Sequence, residues 1–293
     1  MCDEFIHPGL VTDARLSRRS FGLMTAAATV GTAGSALAQD PAVETDVTIK
    51  TADGTCDAVL FHPKAKGPSS KEKYPAVLIW PDIMGLRPAF RDMGRRLAAQ
   101  GYTVLVVNPF YRSAKAPVIG DNFDFGNPEQ RAKLTGYRAA MTNDGVDSDA
   151  KAYLAFLDAQ PVTDTSKKAG VQGYCMGGSL SFRTAAAVAD RIGAVGSFHG
   201  GNGLVTDKPD SPHLLIAKTH ASYLVCQAQN DDASNPKLKD DLKAAFAAAN
   251  RPATVEVYAA NHGWCVKGGA VYNEAEAERA WSNLGTLYKT NLV

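Results

Sequence analysis

Apolar and polar positions along this chain follow two different periods, and the switches between them lay out its elements. Over 43–50 and 56–62 the two kinds alternate, as they do in half-exposed strands at an antiparallel edge. Later runs at 76–80, 102–108, 169–173, 192–197, 222–227 and 254–258 are dominated by apolar and small residues, the pattern of strands covered on both faces. Between them, 90–100, 144–159, 178–190, 237–250 and 274–289 carry apolar residues at helical spacing. Two antiparallel strands followed by alternating β and α units predict an α/β fold. Its sheet is mostly parallel and doubly wound, with helices on both faces. Segment 111–142, rich in Gly, Pro and Asn, has no clear period. It is expected to be a loop or short-helix excursion over the face where the strands' carboxyl ends hold the chemistry.

The first 38 residues read differently from the rest. Ser17-Arg18-Arg19-Ser20-Phe21-Gly22-Leu23-Met24 precedes a mild apolar run over 25–36, and Ala36-Leu37-Ala38 follows. A twin arginine, an apolar stretch and a small-x-small cleavage site form a bacterial twin-arginine export signal. The expectation is therefore a signal peptide over 1–38, recognised by the twin-arginine export machinery, and a periplasmic single domain over 39–293. The apolar run is shorter than the roughly 20 residues that span a bilayer, so no permanent membrane anchor is expected.

With 31 basic and 30 acidic residues the net charge is +1, which gives no footprint for nucleic acid or an anionic membrane. Five cysteines are present. Cys2 leaves with the signal, and Cys56, Cys175, Cys226 and Cys265 would enter an oxidising compartment, where Cys226 and Cys265 could approach one another. No C-x-x-C motif, metal-ligand spacing or phosphate-cradling glycine loop is present, so neither redox chemistry nor a cofactor is expected.

The chemistry concentrates at Gly173-Tyr174-Cys175-Met176-Gly177-Gly178, between a strand-like run and a helix-like one. A thiol flanked by glycines at a sharp strand-to-helix turn matches the G-x-S-x-G nucleophile elbow of α/β-hydrolases, with Cys in place of Ser. An incidental buried Cys in a common turn is the alternative. In that fold the order along the chain is nucleophile, acid, histidine. After the region that would supply the acid, only His262 remains, in Asn261-His262-Gly263-Trp264 directly after a strand. Asp231 and Asp232 end the preceding strand. One of them would orient His262, Asp231 being preferred, and the other would cap a turn. His199-Gly200-Gly201 looks like an oxyanion loop but follows the thiol instead of preceding it, so His199 is assigned to the pocket wall as a substrate-contact candidate.

With these motifs in order, most of the chain from Ala76 to its C-terminus resembles the dienelactone hydrolase (carboxymethylenebutenolidase) family. Gly173–Gly178 carries the resemblance, joined by P-D-I-M-G at 81–85 and N-P-F-Y-R at 108–112. The resemblance implies an α/β-hydrolase fold and cofactor-free hydrolysis of small esters or lactones by a Cys-His-Asp triad. By match to the family's motifs, Cys175, His262 and Asp231 are the triad, and the backbone N–H groups of Met176 and Ile83 are the oxyanion donors. The family also places an acidic residue, usually Glu, before the second donor to accept the thiol proton. Asp82 stands there, one methylene shorter, with a turn-capping role as the alternative. Arg87, Arg91, Arg112 and Arg183 are candidates for the arginines that hold a substrate carboxylate in that family. An exported relative is expected to meet a different ester. A second reading is an α/β-hydrolase that binds a small molecule or partner without turnover; the intact order of thiol, carboxylate and imidazole argues against it.

Overall fold

The structure is a computed structural model that describes residues 42–293 apart from 66, 68–70 and 121; the expected export signal lies outside the described residues. Eight strands form one sheet: β1 (Ala42–Thr51), β2 (Gly54–Pro63), β3 (Ala76–Trp80), β4 (Thr103–Val107), β5 (Ala169–Tyr174), β6 (Ile192–Phe198), β7 (Ser222–Ala228) and β8 (Ala253–Tyr258). Their order is β1-β2-β4-β3-β5-β6-β7-β8. β1 pairs antiparallel with β2, and β2 with β4. Every later pairing is parallel. The mostly parallel sheet with antiparallel N-terminal strands is thus the expected α/β-hydrolase architecture.

Helices cover both faces because successive strand residues point to opposite sides. In β3 and β4, Leu78, Trp80, Leu105 and Val107 join one core layer; Val77, Ile79, Val104 and Val106 join the other. The first layer is closed by Tyr153 and Leu157 of α3 (Asn143–Asp158), Leu180 and Phe182 of α4 (Met176–Ala187), and Leu242 and Phe246 of α7 (Leu238–Ala248). The second is closed by Phe90 and Leu97 of α1 (Pro88–Ala99) and by Leu284 and Tyr288 of α8 (Glu274–Asn291). Two shorter helices, α5 (Pro212–Leu215) and α6 (Gln229–Ser234), sit in the connections after β6 and β7.

The aperiodic excursion contains a full helix, α2 (Pro128–Ala139). Its start is written locally: Asn127 accepts the N–H groups of Glu129 and Gln130, and Pro128 takes the first helical position. Its buried face consists of Leu134 alone, too little to show as a hydrophobic period. Before α2 the excursion packs on the loop that follows β3, where a Cβ on Gly85 would stand 3.0 Å from Val118 and 3.4 Å from Phe110.

Arg112 secures the start of the excursion. It donates to Asp149 of α3 at 2.7 and 3.1 Å and to Asp53 at the β1–β2 turn at 2.6 and 3.0 Å. Tyr111 also donates to Asp149, at 2.7 Å. Removing the guanidinium leaves a buried carboxylate without its counter-charge. Arg112→Met is expected to cost about 3 kcal/mol of stability in urea unfolding, as broken buried pairs do; an unchanged midpoint would show that the pair contributes nothing.

Candidate active site

β5 ends at Tyr174 and α4 begins at Met176, so the whole turn is made by Cys175. The strand and helix backbones nearly touch. A Cβ on Gly173 would lie 1.8 Å from the carbonyl O of Gly177, and one on Gly177 would lie 2.4 Å from that of Trp80. Any larger residue at either place drives strand and helix apart. The turn puts Cys175 at φ 54° and ψ −120°, a strained conformation for a residue with a side chain. Its thiol stands at the N-terminus of a 12-residue helix, where aligned peptide dipoles favour negative charge. Met176, as first helical residue, has an N–H with no acceptor within the helix.

Two loops after β7 and β8 bring the partners. Gln229 N–H donates to Ala260 O at 2.9 Å, and His262 N–H donates to Asn230 Oδ1 at 2.8 Å, so the loops are laced together. Between them His262 Nδ1 meets Asp231 Oδ2 at 2.7 Å, both side chains being 2% exposed. The sulfur of Cys175 acts on the same imidazole electrostatically. Asp232 faces the other way and pairs with Lys239 at 2.6 and 2.8 Å. Of the two expected acids, geometry therefore places Asp231 on the histidine.

Burial alone disfavours a charged His262. The negative charge of Cys175 and the hydrogen bond that the imidazole donates to Asp231 outweigh that effect and push the imidazole up to about 10. His199 shows the opposite balance: burial, then the neighbouring His262 charge, hold it well below its ordinary value, so it is neutral. Its Nδ1 accepts the Cys175 N–H at 3.1 Å, a contact the sequence reading did not contain. His199 therefore lies beneath the turn, with its ring centroid 4.8 Å from that of His262 and 5.2 Å from that of Trp264.

In the loop after β3, the N–H groups of Met84 and Gly85 bond to Asp82 Oδ1 and O, both at 2.9 Å, and Ile83, between Asp82 and Met84, is buried. Both oxygens of Asp82 are also gripped by Arg87, at 2.6 and 2.7 Å, so these two candidates bind each other. The remaining arginines are likewise committed to carboxylates. Arg91 pairs with Glu44 and Asp46 of β1, the edge strand four places from β5. Arg112 pairs as described above, and Arg183 of α4 pairs with Asp147. No expected substrate arginine is presented to the thiol as an uncommitted cation.

Cys56, Cys226 and Cys265 are thiols, none in a disulfide; burial pushes both Cys56 and Cys226 up to about 12. Among the described residues no cluster of His, Cys, Asp and Glu could hold a metal ion, and no helix is long and apolar enough to cross a membrane.

The family model for dienelactone hydrolases matches residues 56–292. A carboxymethylenebutenolidase of Pseudomonas sp. is 32% identical over 113 residues, a match that spans 38% of this chain and 44% of the relative. A Methylorubrum extorquens protein provisionally given the same name is 25% identical over 292 residues, covering 96% of this chain and 95% of its own length. Among solved structures, a provisionally named dienelactone hydrolase from Klebsiella pneumoniae superposes with a TM-score of 0.70 at 20% identity. It covers 85% of this chain and 98% of its own.

If the charge on sulfur is what holds the proton on His262, removing the sulfur releases it. In Cys175→Ala the NMR titration of His262 is expected to move down from about 10, because the largest upward influence is gone. An unmoved titration would assign the whole effect to Asp231.

Proposed function

The chain belongs to the dienelactone hydrolase family, and on that premise we propose that it hydrolyses small carboxylic esters or lactones with the Cys175 thiol as nucleophile. The observation that carries this reading is the buried Asp231–His262 pair, 2.7 Å apart, whose imidazole interacts with the Cys175 sulfur at a helix N-terminus. Asp231 fixes the imidazole's orientation and stabilises its charged form, as the acid of such a triad does.

In the first half-reaction the sulfur adds to the carbonyl carbon, and the developing oxyanion is received by the N–H groups of Met176 and Ile83. Collapse breaks the C–O bond of the ester. The departing alkoxide takes the proton from His262, leaving an acyl thioester on Cys175. In the second half, His262 removes a proton from water, whose oxygen attacks the thioester carbonyl. The C–S bond then breaks, the acid leaves, and the thiol–imidazole pair is restored. Proton acceptance from the thiol falls to His262 in this scheme, because Asp82 spends both oxygens on Arg87.

The test is turnover of p-nitrophenyl acetate or a simple lactone by the purified protein. Cys175→Ala should abolish it, and its persistence would overturn the nucleophile. Asp231→Asn should lower kcat by on the order of 10²–10⁴. Asp232→Asn should stay within about threefold, since it breaks only a partly exposed pair with Lys239. Equal small losses in the two variants would remove Asp231 from the mechanism. Absence of any turnover across esters and lactones would favour a binding protein.

We also infer export to the periplasm, supported by Arg18-Arg19 and Ala36-Leu37-Ala38. Mass spectrometry of the periplasmic product should find Gln39 at its N-terminus; a soluble cytoplasmic product retaining residues 1–38 would contradict this.

A further inference from the structure

His199 is a buried titratable group that the proposed reaction does not use. It occupies the end of β6, wedged between the ends of β5 and β7. Its N–H donates to Cys226 O at 2.8 Å, and its Nδ1 accepts the N–H of Cys175, which also reaches Phe198 O at 3.0 Å. The backbone there sits at φ 40°, in the left-handed region that a side chain enters only when its surroundings dictate it. Accepting at Nδ1 fixes the tautomer, so the proton of the neutral ring is on Nε2. That Nε2 is buried with no hydrogen-bond partner, in a ring that His262, Trp264 and Tyr174 surround.

We propose that His199 is a positioning residue of the active site: a second imidazole, locked as the Nε2–H tautomer, that pins the backbone of Cys175. The lock also denies His262 a competing base. A second imidazole with its ring centroid 4.8 Å from that of His262 could draw the catalytic proton if its lone pair were available. That lone pair is occupied by the Cys175 N–H, so the proton on His262 can be exchanged only with sulfur, leaving group or water. The charged and titratable groups around His199 suit a ring kept neutral. His262 and Arg87 oppose a charge on it and Asp231 favours one, but burial outweighs Asp231. Tyr174 beside it is fully buried and held well above its ordinary value, hence uncharged. This assignment rests on the proposed role of Cys175, but its first test does not depend on turnover.

The first measurement is ¹⁵N NMR of histidine-labelled wild-type protein. His199 should show the neutral Nε2–H pattern throughout pH 5–9; the Nδ1–H tautomer, or a titration in that range, would overturn the proposal. The second uses two variants. His199→Asn keeps an acceptor near the Nδ1 position and tolerates left-handed backbone, whereas His199→Leu keeps bulk and loses the acceptor. With thermal unfolding recorded for both, His199→Leu should lose about a hundredfold in kcat and shift the pH profile of Cys175 alkylation by iodoacetamide. His199→Asn should stay within about tenfold of wild type with the wild-type profile. If both variants keep the wild-type alkylation profile and lose activity only in step with stability, His199 is packing and the proposal fails. A leucine variant that does not fold leaves the NMR measurement to decide. An inactive wild type with the stated tautomer would sink the hydrolase reading while leaving the lock in place.

Discussion

Everything at this site depends on how closely two backbones approach where β5 becomes α4. With only hydrogens on the α-carbons of Gly173 and Gly177, the helix can start directly on the strand and beneath the loop that follows β3. That approach forces the intervening residue to make the whole turn, and Cys175 accepts φ 54° as the consequence. Three results follow from one steric fact. The thiol projects from the carboxyl edge of the sheet, it stands on the positive end of a helix, and the N–H of Met176 is left available beside it. Two side chains larger than hydrogen would undo all three together.

The second organising principle is electrostatic. Charges near the turn are paired off: Asp82 with Arg87, Asp232 with Lys239, Arg183 with Asp147. Each pair anchors a loop or helix and leaves no net charge to pull on the central proton. Asp231, His262 and Cys175 form a separate group among buried surroundings, where the interaction of opposite charges is least screened. The imidazole remains charged up to about 10 because its neighbours on both sides are acidic groups. The same burial that isolates this group keeps His199 neutral, so two histidines in ring contact are held in opposite states by what each one faces.

Most of this was legible in the sequence where local pattern and function coincide. The alternation in β1 and β2, the apolar runs of the parallel strands and the glycines about Cys175 are statements about neighbours along the chain, and the order thiol, aspartate, histidine needs only their succession. What was not legible depends on contacts between distant segments. α2 was hidden because a helix that buries only Leu134 leaves no period, although Asn127-Pro128 announced its start. The choice between Asp231 and Asp232 was undecided along the chain, since adjacent carboxylates differ only in which way the backbone turns. Lys239 pairs with Asp232 and His262 with Asp231. Three of the arginines read as substrate contacts, Arg91, Arg112 and Arg183, were invisible as ion pairs, because Glu44, Asp53, Asp149 and Asp147 lie tens of residues from them.

His199 shows why the left-handed residues carry meaning. Among the described residues three that are not glycine have positive φ: Cys175, His199 and Asn250. Asn250 lies just past the end of α7, where asparagine commonly ends a helix in this conformation. The other two end neighbouring strands and are hydrogen-bonded to each other. Strain of this kind persists only where the rest of the fold over-determines it. Here β5, β6 and β7 supply that determination, since their ladder bonds continue into Cys175 and His199 through Phe198 O and Cys226 O. Two adjacent departures from ordinary backbone geometry, each tied to the next strand and both facing His262, describe a sheet edge built to hold one sulfur atom in place.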